Sequence, residues 1–354
     1  MTEKDESALA RWLAQNPPES VLEPELPIID THHHLWDFRT APADSFHGRF
    51  EQNLYMCDEF VDEIQQSGHN IEQTVFVETM AFYRPDGPKR MRSVGETEAM
   101  QGIAAMSRSG VYGETQICAG IVGNVDLRLG TAVQPVIEAH LAASSNFRGI
   151  RRLPAILGDL TDDFLEGYSV LAKYGLSFDT YPHHPGWYLQ LADLARAQPD
   201  VAIVINHLGG WRIGATEEEV AYWREQLEGI AQHSNVSMKL GGAQMRLGPW
   251  EPPFHMNQHE KPLSSEELCE LLFPAYEFAL QTFGPDRCMF ESNFPVDKES
   301  LSYRTLWNLF KRIAAKAGLS ETEKTAVFSG TASRIYKLPP HSLPRSPGIE
   351  DDGA

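Results

Sequence analysis

Short apolar runs rich in β-branched residues recur at 27–31, 73–79, 117–122, 147–153, 175–181, 201–206, 236–241 and 287–293. Each has the length of a buried strand, and each is followed by a segment whose apolar residues return every three or four positions. Those helical segments fall at about 57–67, 94–109, 131–144, 162–173, 187–197, 217–233, 264–283 and 299–317. Strands alternating with helices build parallel βα units. Eight such units predict an α/β fold, a (β/α)8 TIM barrel with extended βα loops, spanning 27–338. An open doubly wound sheet is the competing architecture. No Gly-x-Gly-x-x-Gly follows the first strand, which argues against its dinucleotide-binding version.

Residues 1–26 read as an N-terminal arm, with a short helix over 7–15 that sets Leu9, Trp12 and Leu13 on one side before Pro17-Pro18. Residues 339–354 carry four prolines and an acidic finish, the pattern of a flexible C-terminal tail.

Composition narrows the partners. The chain has 354 residues, 42% hydrophobic and 22% charged, with a formal net charge of −19. Such an acidic balance disfavours nucleic acid and anionic membrane surfaces, leaving a small molecule as the expected partner. No apolar run reaches the roughly eighteen residues of a membrane span, and Met1–Glu6 lack the basic start and apolar middle of a signal peptide. Cys57, Cys118, Cys269 and Cys288 form no Cys-x-x-Cys and read as reduced, buried thiols, so a cytoplasmic location is expected. No Gly-x-Ser-x-Gly elbow and no Walker loop occurs, which removes serine hydrolases and P-loop enzymes.

Chemistry gathers where a barrel enzyme keeps its site, at the carboxyl ends of the strands. The first strand ends in His32-His33-His34. On extended backbone His32 and His34 share a face and His33 takes the other, so the pair forms half of a transition-metal site; two ordinary hydrogen-bonded histidines are the alternative. Strand two ends in Glu78, strand four carries Arg148, Arg151 and Arg152, and Asp179, Tyr181, His183 and His184 follow strand five. Strand six ends in Asn206-His207, strand seven holds Lys239, and strand eight ends in Glu291-Ser292-Asn293. Recurrence at one end of successive strands is the pattern of a site. Glu78 ends an apolar strand and needs a cation or a metal as partner, and Lys239 follows the same logic on strand seven; a Glu–Lys or Glu–Arg brace is the structural alternative to a place in the substrate site. Of the two histidines between prolines, His184 is taken as the inward one. The stretch 241–262, with Met245, Trp250, Phe254, His255 and His259, reads as a lid over an apolar part of the substrate. Arg84 to Arg92 form a basic island, either attracting an anionic substrate or simply solvated.

The stretches Asp30-Thr31-His32-His33-His34-Leu35-Trp36-Asp37, Phe147-Arg148-Gly149-Ile150-Arg151, Asn206-His207-Leu208-Gly209-Gly210 and Phe290-Glu291-Ser292-Asn293-Phe294-Pro295-Val296 resemble the amidohydrolase-related branch of the amidohydrolase superfamily. That branch holds sugar-acid lactonases, a pyrone-dicarboxylate lactonase and aminocarboxymuconate-semialdehyde decarboxylase. The resemblance implies a hydrolase that opens a lactone, or a related ester or amide, with activated water. A metal-dependent decarboxylase of an aromatic or muconate-like acid is the alternative, and a degenerate barrel acting as a binding protein is a third. It also implies that His32, His34 and His207 hold a divalent metal, zinc by expectation, or meet the substrate directly. Arg151 then orients a substrate carboxylate, with Glu78, Tyr181, His184 and Lys239 nearby. Self-association is frequent in such families.

The chain departs from the branch at Asn293, where the common pattern has the aspartate that contacts metal and serves as general base. An amide takes no proton at neutral pH and is a poorer ligand. Glu291 and Asp297 are the replacement candidates, Glu291 slightly preferred, and a metal-free mechanism stays open. Glu291 paired with Lys239 or Arg151 is the structural alternative.

Overall fold

The computed structural model describes all residues except 1–7, 16–18, 43, 46, 47, 49, 51, 152–159, 183–185, 212, 244–259 and 343–354. Arg152, His183, His184 and the expected lid residues Met245 to His259 therefore lie outside the described residues.

Eight parallel strands run in the order β1 (Ile28–His33), β4 (Ile71–Val77), β5 (Gln116–Gly123), β6 (Phe147–Arg151), β7 (Ser177–Thr180), β8 (Ile203–Ile205), β9 (Val236–Leu240) and β10 (Cys288–Phe290). The ring closes beyond β10. Asn293 N–H donates to His32 O at 2.7 Å, His34 N–H to Phe294 O at 2.8 Å, and Thr31 Oγ1 to Phe290 O at 2.7 Å. The result is the (β/α)8 barrel expected from the alternation.

The surrounding helices are α2 (Cys57–Ser67), α3 (Val94–Arg108), α4 (Gln134–Ala143), α5 (Asp162–Tyr174), α6 (Trp187–Ala197), α7 (Glu217–Ile230), α8 (Ser265–Phe283) and α9 (Tyr303–Lys316). Local chemistry sets their starts: Thr161, Thr216 and Ser264 each accept a hydrogen bond from the backbone three residues on. None of the helices among the described residues is long and apolar enough to cross a membrane. The four cysteines are buried free thiols.

Three pieces escape the simple alternation. The two-residue strands β2 (Trp36–Asp37) and β3 (Leu54–Tyr55) pair antiparallel within the first βα loop. The arm carries α1 (Ala8–Leu13), and its later part is tied down where Lys311 donates to Leu22 O and Glu23 O, both at 2.8 Å. At the other end, α10 (Glu321–Thr325) and α11 (Thr331–Ile335) fold the chain back to the floor of the barrel. Ala332, Tyr336 and Leu338 enter the interior cluster of Ile29, Val75, Val77, Val122, Val204 and Met289. Gln73 and Gln116, at the amino-terminal ends of their strands, donate to Pro339 O and Ser342 O. These residues plug the floor, at the end of the barrel opposite the strand-end histidines.

Candidate active site

β1 divides its histidines as the two-residue period requires. His33 turns outward, stacking on Phe60 at 4.3 Å and meeting Thr74 Oγ1 at 2.9 Å. His32 and His34 turn inward and bring their Nε2 atoms to 3.2 Å of each other. Behind them Asp30 joins β1 to the segment after β10. Its carboxylate accepts from Ser292 N–H at 2.9 Å and from Tyr303 O–H at 2.8 Å. Burial pushes its pKa up to about 6 against these bonds.

Partner identities assign the imidazole protons. His34 Nδ1 lies 2.8 Å from Val77 O, which only accepts, so Nδ1 carries the proton. Burial first, and then the Arg151 charge, hold His34 well below the usual imidazole range. It is neutral, and its Nε2 is bare. Arg151 Nη1 stands 3.2 Å from His32 Nε2, and a guanidinium only donates. His32 Nδ1 lies 2.7 Å from Glu291 Oε2. Both neighbours favour the tautomer with the proton on Nδ1. Burial, and then Lys239, keep His32 neutral as well. Two bare imidazole nitrogens thus face one another across 3.2 Å.

Glu291 is fully buried and joins two of the histidines. Its Oε1 accepts from His207 N–H at 2.9 Å and from His207 Nδ1 at 2.8 Å, while Oε2 faces His32. The His207 Nδ1 proton is therefore committed, leaving Nε2 bare. The His207 ring centre is 4.7 Å from that of His32 and 5.4 Å from that of Tyr181.

This cradle depends on two glycines. A Cβ on Gly241 would run into Glu291 Cγ and its carbonyl oxygen. At Gly242, φ is +63° and a Cβ would stand 2.7 Å from His207 Nδ1. His207 itself sits at φ +54°, a left-handed position that Glu291 holds through the backbone N–H.

The remaining candidates divide between two ion-pair braces and a buried amide–carboxyl pair. Arg151 Nε pairs with Glu78 Oε1 at 2.9 Å, and Nη2 donates to Glu78 O. Lys239 pairs with Asp179 at 2.9 Å, and Asp179 also accepts from Tyr336 O–H at 2.7 Å. Glu291 thus takes neither Lys239 nor Arg151, because Lys239 pairs in register with Met289, two residues before Glu291. Asn293 does not line up behind Glu291. At φ +54° the chain leaves the strand, and its Nδ2 donates to Asp297 Oδ1 at 2.9 Å. Burial, with the amide opposing, drives the Asp297 pKa well above the carboxylate range.

Sequence reasoning passed over Asp30, Gly241, Gly242 and Glu96. Glu96 Oε1 accepts from Thr79 N–H and Ala81 N–H, at 3.1 and 2.9 Å, bracing the turn after Glu78. An acid inside an apolar strand start was the available signal for Asp30. For Glu96 there was none, since α3 reads as an ordinary surface helix.

The site suits a divalent ion in its donor chemistry. Among the described residues, His32, His207 and Glu291 offer one ligand atom each, all within 4.8 Å of one another. Glu291 Oε2 and His32 Nδ1, although close, do not align as a hydrogen bond. Imidazole nitrogen and carboxylate oxygen are zinc-type ligands.

Comparison with known proteins adds four findings. The amidohydrolase family model matches residues 29–338. The uncharacterized protein y4mH of Sinorhizobium fredii is 30% identical over 337 residues, covering 89% of this chain and 99% of that protein. L-fucono-1,5-lactonase of Burkholderia multivorans is 28% identical over 229 residues, covering 62% of this chain and 72% of that enzyme. Among solved structures, a zinc-bound amidohydrolase from Burkholderia multivorans superposes with a TM-score of 0.67 at 24% identity, covering 88% of this chain and 99% of that one.

Proposed function

The chain belongs to the amidohydrolase family, and from that premise we propose that it is a hydrolase opening a lactone by adding water to the ring carbonyl. The observation that carries this reading is the meeting of three imidazoles around one buried carboxylate, which hydrogen-bonds His207 and stands 2.7 Å from His32. The substrate is a small molecule entering at the barrel mouth.

His207 acts as the general base. With its Nδ1–H donating to Glu291, the bare Nε2 takes a proton from water as the water oxygen bonds to the carbonyl carbon and the π electrons move onto the carbonyl oxygen. Glu291 stabilises the imidazolium that forms and fixes its orientation, so its part is positioning. Arg151 Nη1, beside His32, faces the charge developing on oxygen. As the tetrahedral centre collapses, the ring C–O bond breaks and the departing alkoxide takes the proton back from His207. A hydroxy acid results. In a metal-loaded site His32, His207 and Glu291 would hold a divalent ion, with His34 adjacent; the ion would polarise the carbonyl and acidify water, the activation that His207 Nε2 supplies when it is bare.

A panel of lactones followed by pH-stat, in parallel with carbon dioxide release from aromatic acids, tests the reaction. Proton release with lactones is expected. Carbon dioxide release without it would replace hydrolysis by decarboxylation, and binding without turnover would leave the barrel as a binding protein. Elemental analysis of protein purified without chelator is expected to give about one divalent ion per chain, with a melting temperature lowered by chelation. No ion, together with a chelator-insensitive melt, would assign the chemistry to the side chains alone.

A further inference from the structure

We propose that the turn after β4 is a binding ledge for an apolar substituent on the substrate ring, formed by the side chains of Met80 and Phe82. The proposal rests on the hydrolase reading, in which Arg151, paired with Glu78, faces the reacting carbonyl.

The ledge is built against local preference. Met80 and Phe82 both sit in the left-handed region, at φ 65° and 53°, although each carries a Cβ. Their neighbours Thr79 and Ala81 are buried, while Met80 is 46% and Phe82 36% exposed. The backbone thus turns its small side chains inward and its large apolar ones toward water. Dedicated contacts hold it there. Glu96 accepts from the N–H groups of Thr79 and Ala81. Gly95 lets the turn pack so closely that a Cβ would stand 2.5 Å from Phe82 O. Arg84 N–H closes the loop on Arg92 O at 2.9 Å. Strained backbone kept by surrounding structure is characteristic of ligand-contacting segments.

Position selects the occupant. Met80 lies two residues beyond Glu78, whose carboxylate holds the Arg151 that touches His32. Two side chains are far too little surface for a protein partner, which needs about 800 Å² on each side. An alkyl or aryl group on a small ring is the right size. The ring expected here is therefore not a fully hydroxylated sugar lactone but one bearing an apolar arm.

Calorimetric binding of two δ-lactams tests this on the full-length protein, one unsubstituted and one carrying a hexyl chain. Lactams keep the ring and resist hydrolysis. Burial of two methylenes corresponds to about tenfold in affinity, so the wild type is expected to favour the hexyl lactam by about that factor or more. The double variant Met80→Ser/Phe82→Ser is expected to bring the two within about twofold. Met106→Ser, a change at an exposed methionine outside the turn, on α3, should leave the preference intact. Equal or absent binding of both lactams by the wild type, or an undiminished preference in the double variant, overturns the ledge. Hydrolysis of the matching lactones is scored separately, so a retained preference without turnover would overturn the reaction and leave the ledge standing.

Discussion

At the scale of single residues, the site turns on which nitrogen of each imidazole carries a proton. Glu291 decides this for His207 by accepting from Nδ1, and Glu291→Gln replaces that acceptor with an amide of the same size. The expected result is a loss in kcat of about 100-fold or more with the melting temperature nearly kept. A variant within twofold of wild type would remove Glu291 from the mechanism.

His140, away from the site, offers a pH test. It is held by Ser93 and Thr97, stacks on Phe147, and has Arg84 and Glu98 as its charged neighbours. Burial brings its pKa down from 6.5 to about 4. The unfolded chain therefore binds a proton that the fold refuses. The stability involved is present above pH 6.5 and is lost as pH falls toward about 4. His140→Gln should flatten the decline in this window by up to about 1.4 kcal/mol per pH unit. Urea unfolding at several pH values, run on both proteins, checks the slope; identical slopes would refute the assignment.

At the scale of elements, the alternation of strand and helix was readable because buried parallel strands and amphipathic helices have different apolar periods. α2 and α6 fall where the spacing puts them, at Cys57–Ser67 and Trp187–Ala197. β2, β3, α10 and α11 were not readable. Two-residue strands have no period, and helices of five residues are set by the floor they cover. The βα connections were equally silent about close approach. The turn after β9 works only because Gly241 and Gly242 let Glu291 and His207 press against the backbone. Gly242→Ala forces a methyl toward the imidazole at φ +63°. It is expected to cost roughly 1–3 kcal/mol of stability. Activity should fall more steeply than that stability loss explains, as kcat measured well below the variant's melting point would reveal.

At the scale of the whole molecule, the barrel is asymmetric: the candidate site at the mouth, a C-terminal plug at the floor. Tyr336 reaches up from the plug to Asp179, the partner of Lys239. Tyr336→Phe leaves Asp179 with Lys239, Asn206 and Ser177, and is expected to destabilise by about 1–3 kcal/mol. Because Tyr336 touches none of the three site histidines, kcat should stay within a few-fold. A lower urea midpoint with unchanged kcat supports a supporting floor; a collapse in kcat at full stability would make the plug part of the site.

By itself the sequence determined the barrel and put His32, His34 and His207 at the carboxyl ends of its strands, because period and strand-end position are properties of order along the chain. Only the tertiary structure decided the partners. Glu291 met His32 and His207 rather than Lys239 or Arg151, Asn293 paired with Asp297, and Glu96 reached back to brace the turn after Glu78. Those pairings join residues up to hundreds of positions apart, and which carboxylate meets which cation depends on strand register and interior layer, quantities that no local pattern encodes.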